Sequence, residues 1–195
     1  MALGDLTADQ IDGHEPQRIN NALLQFNLAG IIGYGTFSGG SLTSQAPNSS
    51  TLLLSIDSFP LPELGMSTIE LGYLNETRKF VNRPSYSGMQ ISFKDFVDVD
   101  TAGNAYLWYT ASHNPATGQT FYKSNYAVQG LAIVYPPDGS TNGHSPRQWT
   151  LWNCICTSYS AGQTVSMEGD QNVLVSINIT IDKIYPTVYT GGTNY

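Results

Sequence analysis

Residues 173–182 read VLVSINITID, and their alternation decides the fold class. Val173, Val175, Ile177, Ile179 and Ile181 fall on one side of an extended chain. Leu174, Ser176, Asn178, Thr180 and Asp182 fall on the other, because successive side chains of a strand point to opposite faces. Such a strand belongs to a sheet that buries one face and wets the other, and it is long for a globular sheet. Leu174 interrupts the polar side, so the wet face is read as beginning at Ser176.

The same period recurs on either side of that stretch. Leu24, Phe26 and Leu28 alternate with Leu23, Gln25 and Asn27, and Met89, Ile91 and Phe93 with Gln90, Ser92 and Lys94. Val128 to Tyr135 reads as a strand halted by Pro136-Pro137-Asp138-Gly139. Trp149, Leu151 and Ile155 mark another, ending near Ala161-Gly162. Leu52, Leu54 and Ile56 against Leu53, Ser55 and Asp57 read as a further strand, stopped by Pro60 and Pro62, which cannot donate to a ladder. Ile32 to Ser50, crowded with Gly, Ser, Thr and Asn, reads as a loop.

Residues 66–84, MSTIELGYLNETRKFVNRP, read as a long hairpin turning at Asn75-Glu76. It carries Glu70, Glu76, Arg78, Lys79 and Arg83, and charged edges normally keep a hairpin from pairing with strangers. NAYLWYTAS, residues 104–112, is the best helix, with Asn104 as its cap and Leu107 and Ala111 one turn apart. Asp95, Asp98 and Asp100 end the strand before it. An N-terminal arm is expected over 1–20, a β domain over 21–186 and a tail over 187–195. The expectation is mainly β: about seven strands, one helix and one long hairpin.

The length of 195 residues suits one domain with a core of its own. Charged residues make up only 12%, and neutral polar residues fill the gap, as expected of a β-rich protein or one covered by copies of itself. A net charge of −7 argues against a grip on nucleic acid, which needs Lys and Arg, but suits a channel that DNA crosses without sticking. No apolar run of ~20 residues exists, so membrane insertion is not expected. The N-terminus lacks the basic start and apolar core of a secretory signal, so synthesis in a cytoplasm is expected.

Reactive groups do not converge in the sequence. His14, His113 and His144 sit singly in polar loops, without metal-ligand spacing. No nucleophile elbow, HExxH helix or phosphate loop appears. Asp95, Asp98 and Asp100 lack the further ligands of a calcium loop. Asp57, Glu63, Glu70 and Glu168 could supply paired carboxylates, but nothing brings two of them together. Cys154 and Cys156 at i, i+2 on a strand share a face, with Cα atoms about 6.5–7 Å apart. That is the limit for a disulfide, leaving two semi-buried thiols or a cross-link to a neighbour. No cofactor, metal or catalytic residue is assigned, and no enzymatic activity is expected.

The stretch SIDSFPLPELG (55–65), then STIELGYLNETRKFVNR (67–83) and PSYSGMQISFKDFVD (84–98), resembles the tail tube proteins of contractile phages of the T-even type. The helix-like segment at Asn104 to Ser112 and the closing VLVSINITIDKIYP (173–186) follow in the family's order, so the resemblance covers roughly residues 20 to 186. The loops from Gly33 to Ser50 and from Pro136 to Arg147 depart from it. Pyocin tubes and the secreted ring protein of type VI secretion share this architecture. The resemblance implies a β-sandwich or rolled barrel with one flanking helix and a protruding hairpin. It further implies hexameric rings with a continuous inner β-barrel, stacked into the inner tube of a virion tail inside a sheath, between baseplate and tail terminator. DNA would pass through the lumen during genome ejection without specific binding.

On that reading the hairpin residues Glu70, Tyr73, Glu76, Arg78, Lys79 and Arg83 bridge to a neighbouring subunit or ring. Gln90, Ser92, Lys94, Ser176, Asn178, Thr180 and Asp182 face the lumen. The alternatives are a carbohydrate-binding or capsid-decorating β-sandwich, gripping glycan through Trp108, Trp149 or Trp152, and a jelly-roll hydrolase using carboxylates.

Overall fold

A computed structural model describes residues 22–36, 42–96, 100–135, 146–162 and 173–187. The expected arm over 1–20, all but Thr187 of the tail, and His14, His144, Asp98 and Glu168 lie outside the described residues.

Seven strands form one antiparallel sheet that curls into a half-barrel. They are β1 (Ala22–Asn27), β4 (Ile56–Ser58), β7 (Met89–Lys94), β8 (Val128–Val134), β9 (Arg147–Ser160), β10 (Leu174–Thr180) and β11 (Lys183–Pro186). Their order is β1-β8-β9-β10-β7-β4, with β11 paired to β9 beside the main path. Two hairpins stand apart from this sheet: β2 (Gly33–Thr36) with β3 (Leu42–Gln45), and β5 (Leu64–Tyr73) with β6 (Glu76–Tyr86). The mainly β class is as expected.

The inner face of the sheet makes the core. Val175, Ile177 and Ile179 of β10 belong to one buried cluster with Ile91 and Phe93 of β7 and Leu24 and Phe26 of β1. Each such side chain contributes about 1.5–3 kcal/mol on burial. Helix α2 (Thr101–Thr110) closes this core, presenting Ala105, Trp108 and Ala111 to it. Phe26 and Trp108 meet with ring centroids 4.8 Å apart. The helix starts three residues earlier than Asn104 because Asp100 is its cap, accepting a 2.7 Å hydrogen bond from the Gly103 amide. Asn104 serves instead as a clamp: its Oδ1 accepts from the Asn48 amide at 2.7 Å, and its Nδ2 donates to the Asp100 carbonyl at 2.6 Å.

Two expectations are corrected. Residues 52–57 do not form one strand: Ser49–Ser55 is a helix, α1, and only Ile56–Ser58 pairs with β7. Asn48 holds the first turn, its Oδ1 accepting from the amides of Ser50 and Thr51 at 3.0 and 3.3 Å. Thr51, Leu52 and Ser55 then form one buried stripe, and Ser55 Oγ lies 3.0 Å from Thr101 Oγ1 at the start of α2. The Ile32–Ser50 segment is likewise more than a loop, because it holds the β2–β3 hairpin. That hairpin lies on α2, with the Tyr34 amide donating to Thr110 Oγ1 at 2.9 Å.

Strand β9 also departs from simple alternation. Leu151, Cys154 and Cys156 are buried, while Ile155 turns outward opposite Thr180. The cause is a bulge at Asn153, which takes φ 52 and advances β9 three residues for two of β8 between the Leu151–Gly130 and Cys154–Val128 pairs. A second register shift falls beside Asn178. The bends let one strand pair with β8 and β11 over its first half and with β10 over its second.

Candidate functional site

The β5–β6 hairpin is the most exposed element among the described residues: every residue but Tyr86 is exposed. Leu64 pairs with Tyr86 at the base and Tyr73 with Glu76 at the end, so a two-residue loop, Leu74-Asn75, closes it. The expected turn was one residue further on. Ten residues extend it about 33 Å at the usual rise. Its two faces differ. One carries Ile69 opposite Phe80, Leu71 opposite Arg78, and Tyr73 opposite Glu76. The other carries Thr68 opposite Val81, Glu70 opposite Lys79, and Gly72 opposite Thr77.

All six hairpin residues singled out from the sequence lie on this element. Glu70 and Lys79 form an ion pair at 3.0 Å, exposed on both sides and so worth at most about 1 kcal/mol. The Arg78 guanidinium stands 5.3 Å from the centre of the Tyr73 ring, a cation–π contact that orders the outer end. Glu76 faces Tyr73 across the strands, and Arg83 lies near the base, beside the register shift. The hairpin thus joins an apolar face to fixed charges. A two-stranded ribbon exposed on both sides is marginal by itself in water.

The second surface is the outer face of the main sheet around β10. Ser58, Ser92, Ser176 and Ser160 are successive cross-strand partners on β4, β7, β10 and β9. The next row is Gln90, Asn178 and Ser158. Asn178 Nδ2 donates to Ser158 Oγ at 2.7 Å, and Thr157 Oγ1 donates to the Asn178 carbonyl at 3.1 Å. Lys94, opposite Leu174, is neutralised by Asp57 at 3.1 Å. Gln90, Ser92, Lys94, Ser176, Asn178 and Thr180 therefore share one hydroxyl- and amide-covered face. Asp182 does not belong to it. It sits in the turn between β10 and β11, where hydrogen bonds from Lys123 and from Asn153 Nδ2 (3.0 Å) hold its carboxyl below the ordinary carboxylate range.

Ser58, Ser158 and Ser160 were not anticipated on this face. Ser58 was hidden by the misread strand before it, and the β9 serines by bulges that no periodicity reveals.

The other candidate chemistry disperses. Asp57 and Glu70 are each tied to a lysine. His113 is half-buried, its Nδ1 3.1 Å from Ser112 Oγ and its ring edge-on to Tyr109. No cluster of three or more His, Cys, Asp or Glu that could hold a metal occurs among the described residues. No described helix is long and apolar enough to cross a membrane. Cys154 and Cys156 are free and buried, and burial pushes both thiols up to about 12. Both are fully buried rather than semi-buried, so neither sulfur lies on the surface of the isolated chain. Trp108 is 1% exposed and so cannot grip a glycan, whereas Trp152 lies open beside Tyr185, ring centroids 6.5 Å apart.

No protein-family model matches the sequence, and no curated protein matches it. Solved structures do. The tube-terminating cap of the anti-feeding prophage matches with a TM-score of 0.61 at 14% identity, over 97% of this chain and 100% of that one. The sheath/tube terminator of an extracellular contractile injection system matches at 0.58 and 10% identity, over 89% and 98%. A subunit of the sheath-tube complex of the same system matches at 0.57 and 11%, over 95% and 100%. The chain has the fold of tube and terminator proteins of contractile injection systems, in line with the resemblance read over roughly residues 20 to 186.

Proposed function

We propose that this chain is a structural subunit of the inner tube of a contractile injection machine, such as a phage tail, and has no enzymatic role. The observation that carries this reading is the extent of the shared fold, which runs almost end to end in both chains rather than over a sheet alone. The two surfaces give it a physical basis. Six copies in a ring place the serine–asparagine face around a lumen, and the β5–β6 hairpin reaches the neighbouring copy or ring. A closed ring also removes the open sheet edges at β1 and β4. Rings stack into a hollow conduit within a sheath, between baseplate and terminator, in a particle assembled in the host cytoplasm. The lumen face presents hydroxyls and amides with its one lysine neutralised, and the chain carries −7 overall. DNA would therefore slide during ejection without being held.

A second reading is favoured by two of the solved structures, which are terminators: one ring of this chain caps the tube. Negative-stain electron microscopy of the purified, concentrated chain tests both. Hollow tubes support the tube subunit, and six-fold rings that never stack support the cap. Uniform monomers at every concentration, with binding on a glycan array lost on Trp152→Ala, would replace both with a glycan-binding module.

A further inference from the structure

Strand β10 runs between two surfaces of opposite charge. At its start the Asp95 amide donates to the Val173 carbonyl at 3.0 Å, and alternation puts the Asp95 side chain on the same side of the sheet as Ile91 and Phe93. Three half-buried tyrosines meet on that side: the Tyr159 ring lies 5.5 Å from Tyr106 and 6.5 Å from Tyr109, both on α2. Burial, then the nearby carboxylates of Asp95 and Asp100, push the Tyr159 hydroxyl above the ordinary tyrosine range. Neither carboxylate has an ion pair among the described residues. Lys94, next to Asp95 in sequence, points to the other face and is neutralised by Asp57. Tyrosine rings beside two unpaired carboxylates make a surface for a cation.

Beyond the far end of β10, about 20 Å along the strand, the character reverses. Asp182 is occupied by Lys123 and Asn153, and the exposed Lys183 has no ion pair among the described residues. The cross-strand partner of Lys183 is Trp152, 41% exposed and edge-on to Tyr185, itself 50% exposed. Lys123 and Lys183 against Asp182 give this surface +1, whereas Asp95 and Asp100 give the first −2.

We infer that copies of this chain stack head to tail through these two surfaces, Lys183 of one copy seating against Tyr106, Tyr159, Asp95 and Asp100 of the next while Trp152 and Tyr185 cover the contact. The surfaces lie too far apart to meet within one chain. A contact between unlike patches propagates from copy to copy instead of closing as a pair. Opposite charges select this pairing and reject the same surface on another copy. The inference rests on reading the chain as a tube subunit, and it names the contact that joins one ring to the next.

The test uses the full-length chain with Lys183→Glu, Asp95→Lys, and the two together. Neither side chain has an ion pair to lose, so each variant subunit is expected to melt within a few degrees of the natural one. Each single variant sets like charges against each other, and the concentration at which stacked assemblies appear in sedimentation should rise about ten-fold or more. The combined variant restores the pair in reverse and should return close to the natural value. In assemblies mixed from isotopically light and heavy chains, a zero-length carbodiimide should couple Lys183 of one copy to Asp95 or Asp100 of another, read by mass spectrometry. Single variants that stack like the natural chain overturn the inference and leave the tube reading standing. So does a combined variant that fails to recover, or stacked assemblies that yield no such coupled peptide. A natural chain that stays monomeric at every concentration overturns both.

Discussion

Gly33 rests directly against the Leu107 carbonyl oxygen, with no space for a β-carbon between them. The contact brings β2 onto α2 closely enough for the Tyr34 amide to reach Thr110 Oγ1 at 2.9 Å. Because the obstruction is backbone, neither side can swing away. Gly33→Ala is expected to destabilise the subunit by about 3 kcal/mol, the upper end for overpacking. Gly30, at φ 87 with open space around it, provides the contrast: Gly30→Ala meets strain but no clash and should cost about 1 kcal/mol. Urea midpoints of the two variants at equal m-value check the order. Equal losses would contradict it.

The pair of helices depends on Asn104. Its amide bonds the Asn48 amide that begins α1 and the Asp100 carbonyl that begins α2. Asn104→Ala leaves both without that partner and should cost about 1–2 kcal/mol. Asp100→Ala removes one cap and should cost about 1 kcal/mol. Since the two residues share a turn, the double variant should lose less than the sum of the single ones, which a double-mutant cycle in urea measures.

Period-two alternation made β1, β7, β8 and β10 legible in the sequence, and Val175, Ile177 and Ile179 are buried as their pattern required. The β5–β6 arm was legible to within a few residues from the alternation of Ile69, Leu71 and Tyr73 with Glu70 and from the turn after it. What failed was local. Leu52-Leu53-Leu54 carries no period, and the Asn48 cap decides for helix. One left-handed residue, Asn153, inverts the faces of β9, so Cys154 rather than Ile155 enters the core. The row Ser58–Ser92–Ser176–Ser160 depends on strand pairing between distant segments, which a single sequence does not display.

The two thiols predict an alkaline limit to stability. Burial raises both to about 12, against 9.0 for an exposed cysteine. Between those values the unfolded chain has released thiol protons that the folded chain keeps, so stability falls as pH rises. The slope reaches up to about 1.4 kcal/mol per pH unit for each thiol. Below about pH 9 this contribution is flat. Denaturation midpoints from pH 8 to 11 should fall more steeply in the natural chain than in Cys154→Ala/Cys156→Ala. At pH 8 a thiol reagent should label neither cysteine until the chain is unfolded. Rapid native labelling would show that the sulfurs are open.

The hairpin charges should matter to assembly and little to folding. Lys79→Glu sets two glutamates opposite each other at the Glu70 position, and Arg78→Glu removes the guanidinium over Tyr73. Exposed pairs of this kind cost only a few tenths to about 1 kcal/mol when reversed. The main sheet and α2 lie elsewhere, so the double variant should keep its circular dichroism spectrum and melt within a few degrees of the natural subunit. Assembly is different, because a ring of the proposed kind would repeat the loss at every subunit contact. Folded subunits that sediment as monomers, and show no rings or tubes by electron microscopy where the natural chain forms them, are the expected outcome. Long tubes from the double variant would mean that subunits meet through the sheet edges alone, leaving the arm free for another partner.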